Sequence, residues 1–194
     1  MHAAPPNEDV TTYAGFLRGV NVGGNRKLPM AELRAYLTDL GARDVHTYIQ
    51  SGNVVFRVAP EAFPALREAF EARAEDRFGY DLAWATRSAE QLARVVRDNP
   101  FLADAAADPD PKHLHVGFLD REPDPAAVAA LPPSPSPPDD YRVRGGEVYF
   151  LFPDGVGRSR LANGKTFDRL GANLTVRNWR TVLTMLDMAT QPAM

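Results

Sequence analysis

Hydrophobic positions in the first 87 residues recur at two spacings, which predict short strands and amphipathic helices in alternation. Clusters of β-branched and aromatic side chains predict strands over residues 12–18, 45–50, 53–58 and 81–86. Apolar side chains three and four residues apart predict a helix that begins near Pro29 and ends at Gly41, and a long second helix from Phe63 to Phe78. The order is β-α-β-β-α-β, the split β-α-β arrangement of ferredoxin-like folds.

The remaining residues mix the same two patterns. Ser88 and Gln91 form a capping box that begins a third helix, and Trp179 begins a final amphipathic helix in which we expect its indole to be buried. Further strands are predicted over residues 113–119, 141–144 and 147–152. The last two flank Gly145-Gly146, a typical two-residue hairpin turn. The proline-rich run 132–138 predicts a stiff connector.

These elements predict an α+β protein with three parts. Residues 1–10 are expected to form a disordered tail, residues 11–87 a ferredoxin-like subdomain, and residues 88–194 a smaller second α+β subdomain that ends in a basic helical segment. The sequence shows no clean internal repeat. It leaves the placement of the two halves and the oligomeric state open.

Composition narrows the class of protein. The chain has 194 residues, 44% of them hydrophobic, which is enough for a substantial core. It contains no cysteine, and this excludes disulfides, thiol catalysis and thiolate metal sites. The N-terminus lacks the basic start and apolar run of a signal peptide, and no segment approaches 18 uncharged apolar residues. We therefore expect a soluble, cytoplasmic protein that does not bind a membrane.

Charge is unevenly distributed along the chain. The net charge is only −3, so no global basic field favours nucleic acid. Residues 156–181, however, contain six basic side chains and one acidic side chain, Asp168. Contact with phosphates and stacking of a base are one interpretation of this segment, and a solvated helix start is the other.

The loop after the first strand is a candidate anion site. It contains Gly19, Gly23 and Gly24 together with Arg18 and Lys27, and it precedes a helix. Glycines let backbone N–H groups approach an anion, and a helix N-terminus favours negative charge. The loop lacks the Lys-Ser/Thr pair of a Walker A motif. A long crossover whose glycines serve only turn geometry is the alternative interpretation.

Three shorter motifs also carry polar groups. The turn with Gln50, Ser51 and Asn53 either holds a ligand or caps itself. His113 and His115 have the spacing of a zinc chelate, but the sequence identifies no third ligand, so we predict no metal and no cofactor. No spacing in the sequence singles out a nucleophile or an acid–base pair, so no catalytic residue is assigned and the question of an enzyme stays open.

Three separated segments have distinctive sequences. Residues 17–24 read Leu-Arg-Gly-Val-Asn-Val-Gly-Gly, residues 48–56 read Tyr-Ile-Gln-Ser-Gly-Asn-Val-Val-Phe, and residues 175–182 read Thr-Val-Arg-Asn-Trp-Arg-Thr-Val. With these motifs the chain resembles the bacterial family catalogued as domain of unknown function 1697. The resemblance covers nearly the whole chain after the tail. It implies an α+β protein built around ferredoxin-like units, and it implies no activity.

The leading hypothesis is a protein that binds a phosphorylated or otherwise anionic ligand, with a nucleotide or nucleic acid as candidate partners. The site would combine the glycine loop, the polar turn and the Arg-Asn-Trp segment. Its predicted ligand-binding residues are Arg18, Gly19, Asn21, Gly23, Gly24, Lys27, Gln50, Ser51, Asn53, Lys165, Arg177 and Asn178. One alternative is a transferase or hydrolase acting on a phosphorylated substrate. The other is a structural or interaction protein whose motifs hold two subdomains together.

Overall fold

The computed structural model describes residues 10–23, 26–102, 110–163 and 165–192. The strands are β1 (Thr11–Leu17), β2 (Arg43–Tyr48), β3 (Asn53–Val58), β4 (Trp84–Ser88), β5 (Leu114–Leu119), β6 (Asp140–Arg144), β7 (Glu147–Leu151) and β8 (Leu174–Asn178). The helices are α1 (Met30–Asp39), α2 (Phe63–Ala72), α3 (Ala74–Phe78), α4 (Ala89–Arg97), α5 (Pro125–Ala129), α6 (Arg160–Asn163) and α7 (Trp179–Thr190).

The strands form two antiparallel sheets with the same internal order. The N-sheet has the order β2-β3-β1-β4 and the C-sheet has the order β6-β7-β5-β8. The registers also correspond. Gly15 in β1 lies opposite Val54 of β3, and Gly117 in β5 lies opposite Val148 of β7. The topology therefore repeats, although the sequence shows no clean repeat.

Three hydrophobic clusters fill the spaces between these layers. The first lies between one face of the N-sheet and helices α1 and α2, where Phe70 stacks on Trp84 at 3.9 Å between ring centroids. The second joins the other face of the N-sheet to the C-sheet, α4 and α7, and Phe16 stacks there on Phe118 at 4.1 Å. The third covers the outer face of the C-sheet with α5 and the segment around Phe167. The two halves thus share one central core.

Several predictions from the sequence are confirmed in this architecture. The α+β class is correct, while the finer ferredoxin-like description and the subdomain boundaries stay predictions. Ser88 and Gln91 form the capping box at the start of α4, and Gly145-Gly146 joins β6 to β7. Trp179 is 4% exposed. The predicted tail lies outside the described residues except for Val10.

Other predictions need correction. The helix predicted from Phe63 to Phe78 is divided into α2 and α3, because the backbone at Arg73 leaves helical geometry with φ −102° and ψ 1°. The fourth strand begins at Trp84, not at residue 81, since Trp84 lies opposite Leu17, where β1 ends. Strand β8 was not predicted, and it places Arg177 in a sheet and not in a solvated helix start.

Candidate functional site

Arg177 in β8 fastens the C-sheet to the loops of the N-sheet. Its Nη2 donates to the carbonyl oxygens of Leu17 (2.7 Å) and Ser51 (2.9 Å), and its Nε donates to Asn53 Oδ1 (2.5 Å). Its Nη1 donates to Thr175 Oγ1 (2.8 Å). Every nitrogen of the guanidinium therefore has a protein partner, and Leu17 lies 160 residues away in the sequence.

Arg87, in β4 of the N-sheet, makes the corresponding contacts to the C-sheet. Its Nη2 donates to the carbonyl oxygens of Leu119 (3.1 Å) and Gly146 (2.9 Å), and its Nε donates to Glu147 Oε1 (2.6 Å). Both side chains of the Arg87–Glu147 ion pair are largely buried, with 12% and 14% of their surface exposed. We call Arg87 and Arg177 together the arginine junction.

The two arginines of the junction also bracket the central aromatic stack. The guanidinium carbon of Arg177 lies 5.9 Å from the ring centroid of Phe16, and that of Arg87 lies 5.7 Å from the ring centroid of Phe118. Burial lowers the pKa of Arg177 to about 10, so the side chain stays protonated at neutral pH. A charged group in this position needs its hydrogen bonds, because a buried charge without partners is strongly destabilising.

The glycine-rich loop is held against the polar turn by Asn21. Its Nδ2 donates to the carbonyl oxygens of Gln50 (2.7 Å) and Leu28 (2.9 Å), and its Oδ1 accepts from the Leu28 N–H at 2.8 Å. Gly52 in the turn has φ +72°, and an added Cβ there would lie 2.6 Å from Val20 Cγ2. The loop and the turn thus pack directly on each other, which fixes both beside Arg177.

The structure brings together five of the predicted ligand-binding residues. Asn21 donates to the carbonyl oxygen of Gln50, while Ser51, Asn53 and Arg177 bond to one another. Most of these hydrogen-bonding groups therefore already have protein partners. A ligand role for this cluster stays a prediction, since an anion would have to displace these bonds.

The remaining predicted residues are dispersed around the cluster. Arg18 Nη1 donates to Asn173 Oδ1 at 2.6 Å, and Lys27 and Lys165 are exposed. Gly19 and Gly23 adopt φ +66° and +63° with open space around them. Gly24 lies outside the described residues. Asn178 faces away from Arg177, because neighbouring residues of a strand point to opposite sides of the sheet.

Asn178 opens instead on a cleft of about 830 Å³ at the N-terminal end of α7, which we call the α7 cleft. The Asn178 side chain accepts from the Thr181 N–H at 2.8 Å and so caps the helix. Lys112, His113 and His115 line the cleft from the start of β5, and Arg180 lines it from the first turn of α7.

His115, which lines the α7 cleft, has an unsatisfied polar atom that is buried. Its Nδ1 is buried and has no hydrogen-bond partner among the described residues. Burial lowers the pKa of this imidazole below its usual value, so it is neutral at neutral pH. A neutral imidazole offers one donor and one acceptor, but the buried Nδ1 does not reach the cleft.

Arg180 stands where helix electrostatics disfavour a cation. The N-terminus of a helix carries partial positive charge, which favours Asp and Glu in the first turn. The first turn of α7 has no acidic residue, whereas the topologically equivalent first turn of α4 has Glu90. The Arg180 side chain is exposed and makes no ion pair within the described residues. Sequence reasoning missed Arg180, although its position two residues after the Asn178 cap was a usable signal.

The described part of the chain shows neither a metal cluster nor a membrane span. It holds no group of three His, Asp or Glu side chains placed to bind a metal ion. It also holds no helix with the length and apolar character needed to cross a bilayer.

Comparison with known proteins places the chain in a family. The structure resembles that of the conserved bacterial protein SP0830 from Streptococcus pneumoniae, with a TM-score of 0.69, 24% sequence identity, and coverage of 94% of this chain and 99% of that one. At this identity the likeness shows the fold alone. None of the curated proteins that were compared matches the chain. The model of the family described as "Protein of unknown function (DUF1697)" matches residues 10–149, and the chain belongs to this family.

Proposed function

We propose that this protein binds a phosphorylated or otherwise anionic small molecule in the α7 cleft. The volume of the cleft, about 830 Å³, is within the range of small-molecule sites. The site retains Asn178 from the predicted set and adds Lys112, His115 and Arg180. Arg177, three residues before Arg180 in the sequence, holds the sheet that carries the site.

One observation carries the proposal: Arg180 lies in the first turn of α7 without a protein partner among the described residues. The partial positive charge of the helix end makes this position unfavourable for a cation unless an anion is bound there. With an anion present, the guanidinium, the helix end and Lys112 would all act on the same negative charge. The absence of an acid from the first turn removes the group that would compete with such a ligand.

Two carboxylates also line the cleft and limit the charge of the ligand. Asp110 is held by Lys112, with Nζ and Oδ2 2.7 Å apart, while the exposed Asp154 makes no ion pair in the described structure. Asp154 opposes an anion, so its neutralisation should strengthen binding. This gives the site a substitution that is expected to act in the opposite direction from the loss of Arg180.

The test is a titration of the full chain with inorganic phosphate, sugar phosphates, nucleotides and short oligonucleotides, followed by calorimetry and thermal shift. A ligand that binds only the folded state must raise the melting temperature. We expect Arg180→Gln to weaken binding by about tenfold or more, the usual effect of losing a charge-assisted hydrogen bond. Asp154→Asn should tighten binding.

Arg160→Gln is the matched control. Arg160 is another exposed arginine of the same basic segment, and it does not line the cleft. Equal binding by the wild type and both Arg180→Gln and Lys112→Gln would contradict the proposal. Binding that falls only in Arg18→Gln or Lys27→Gln would return the site to the glycine-rich loop.

A structural role is the second candidate for the Arg-Asn-Trp motif itself. The observation that favours it is the arginine junction, in which Arg177 donates its hydrogen bonds to protein groups. Trp179 is buried in the central core. This role concerns Arg177 and Trp179 and leaves Asn178 and Arg180 for a ligand. The alternative of a transferase or hydrolase stays a prediction.

A further inference from the structure

A second cleft, of about 500 Å³, lies between α4 and the β6–β7 hairpin. Gln91, Arg94 and Asp98 line it from α4, and Arg144 lines it from β6. We call it the hairpin cleft. It has no residue in common with the α7 cleft.

Most charges in the hairpin cleft are paired within the protein. Arg87 binds Glu147 at 2.6 Å, and Arg121 binds Asp120 at 3.2 Å. The carboxylate of Asp98 is held at 2.8 Å by Arg97, a residue outside the cleft lining. These pairs leave no net charge to offer a ligand.

Arg144 and Glu122, which carry opposite charges, are not paired in this way. The Arg144 guanidinium donates only to a carbonyl oxygen, that of Asp98, at 2.8 Å, and it has no carboxylate partner among the described residues. Glu122 has no cationic partner among the residues that the structure describes. Arg94 adds a second cation, whose ion-pair partner in the described structure is the highly exposed Glu90, and exposed pairs of this kind are weak.

The uncharged part of the lining offers a ligand little apolar surface. Val95, Leu119 and Tyr149 are at most 4% exposed, and the Tyr149 hydroxyl is already used, since it donates to the Val95 carbonyl oxygen at 3.2 Å. Gln91, Gly145 and Gly146 form the rest of the uncharged lining. A simple oxyanion would be repelled by Glu122.

We propose that the hairpin cleft binds a zwitterion, a free α-amino acid. The carboxylate of the ligand would be bound by Arg144 and Arg94, and arginine suits this role because its planar fork matches a carboxylate. The ammonium group would be bound by Glu122.

The experiment is a calorimetric titration of the full chain with single L-amino acids, up to about 10 mM, which covers millimolar affinities. For each amino acid that binds, the corresponding amine without the carboxylate and the corresponding acid without the ammonium are titrated as well. The zwitterion is expected to bind at least about tenfold more tightly than either, because each loses a charge-assisted contact. Dipeptides distinguish a free amino acid from a peptide ligand.

Two substitutions test the two ends of the ligand separately. Glu122→Gln should weaken binding of the amino acid by about tenfold. Binding of the acid without an ammonium should be unchanged or stronger. Arg144→Gln should weaken binding of both the amino acid and the acid without an ammonium. Arg142→Gln is the matched control, because Arg142 lies two residues away on the same strand, pairs with Asp140 and does not line the cleft.

Three results would overturn the proposal. The first is that no amino acid binds. The second is that phosphate binds and binds better in Glu122→Gln, which would make the cleft an anion site. The third is that Arg94→Gln and Arg144→Gln, both folded with melting temperatures near that of the wild type, bind as well as the wild type. Arg180→Gln should change none of these titrations, so a failure here is separate from a failure at the α7 cleft.

Discussion

The N-terminal half, residues 10–102, and the C-terminal half, residues 110–192, have the same framework with different connections. Each has four antiparallel strands in the same order, and a final helix capped by a side-chain oxygen, from Ser88 in α4 and from Asn178 in α7. Arg87 and Arg177 each stand immediately before the cap and reach into the other half. The shared features are those that join the halves.

The halves differ at the surfaces around this framework. The N-sheet has a long glycine-rich loop and a turn in which the β-branched Ile49 adopts φ 50°, whereas Gly145-Gly146 makes the corresponding turn in the C-sheet. The first turn of α4 has Glu90 and that of α7 has Arg180. The repeated features join the two halves, and the differences lie at the surfaces where we propose that ligands bind.

The largest expected effect of a single substitution is that of Arg87→Ala. It would leave the carboxylate of Glu147 buried without its cation, which costs about 3–5 kcal/mol. For a chain of this size the melting temperature should fall by roughly 6–20 °C. Denaturant unfolding measures the change, and Arg94→Ala, at an exposed pair, should stay within about 1 kcal/mol. The double variant with Glu147→Ala should recover part of the loss.

Arg177→Ala should cost less, about 2–4 kcal/mol, because the groups that it leaves behind are neutral. They are the amide of Asn53 and the carbonyl oxygens of Leu17 and Ser51. Arg177→Lys should restore little, since an ammonium cannot reproduce the planar fork. If Arg177→Ala unfolds at the same denaturant concentration as the wild type, the junction is not a structural fastening.

The two equivalent glycines of the central strands should respond unequally to alanine. A Cβ at Gly15 would lie 2.8 Å from Cε3 of Trp84, whose ring is fixed by its stack on Phe70. A Cβ at Gly117 would lie 2.6 Å from Leu174 Cδ1, the movable end of a flexible side chain. We expect a loss of about 2–3 kcal/mol for Gly15→Ala and about 1 kcal/mol for Gly117→Ala. Equal unfolding free energies would contradict this difference.

Exchanging the charges at the two helix starts should have opposite effects on stability. Arg180→Glu should stabilise the protein by about 0.5 kcal/mol, because an acid interacts favourably with the N-terminus of α7. It should also abolish anion binding in the α7 cleft. Glu90→Arg should destabilise by a similar amount, about 0.5 kcal/mol, since it also breaks the pair with Arg94. A loss of stability in Arg180→Glu would show that Arg180 has a structural partner.

The smallest expected effect is a pH dependence from His115. Burial lowers the pKa of His115 in the folded state below the value in the unfolded chain, so the unfolded chain takes up the proton first as the pH falls. The contribution of His115 to the free energy of unfolding is therefore fully present above the pKa of the unfolded chain, about 6.5. It is lost as the pH falls towards the pKa of the folded state. Melting temperatures from pH 7.5 to pH 5 measure it, and His115→Gln should flatten this part of the curve.

The sequence by itself determined the local elements of this protein. The spacing of apolar residues places β1, α1, β3 and β5 close to their observed positions, since the period of a helix or a strand is a property of neighbouring residues. The capping box at Ser88 and the turn at Gly145-Gly146 are local in the same way. The three separated motifs also led to the correct family.

The tertiary structure decided what Arg177 does and where the clefts lie. Strand β8 has no clear alternation of apolar and polar residues, and its pairing with β5 depends on a partner some 60 residues earlier. The groups of the N-terminal half that bind Arg177 lie more than 120 residues away, at the ends of β1 and β3. Such contacts depend on how the sheets pack, and no local pattern encodes them. For the same reason only five of the predicted site residues lie together around the polar turn, and their role in ligand binding stays a prediction. Arg144 and Glu122 could be recognised only once the hairpin had been placed in space.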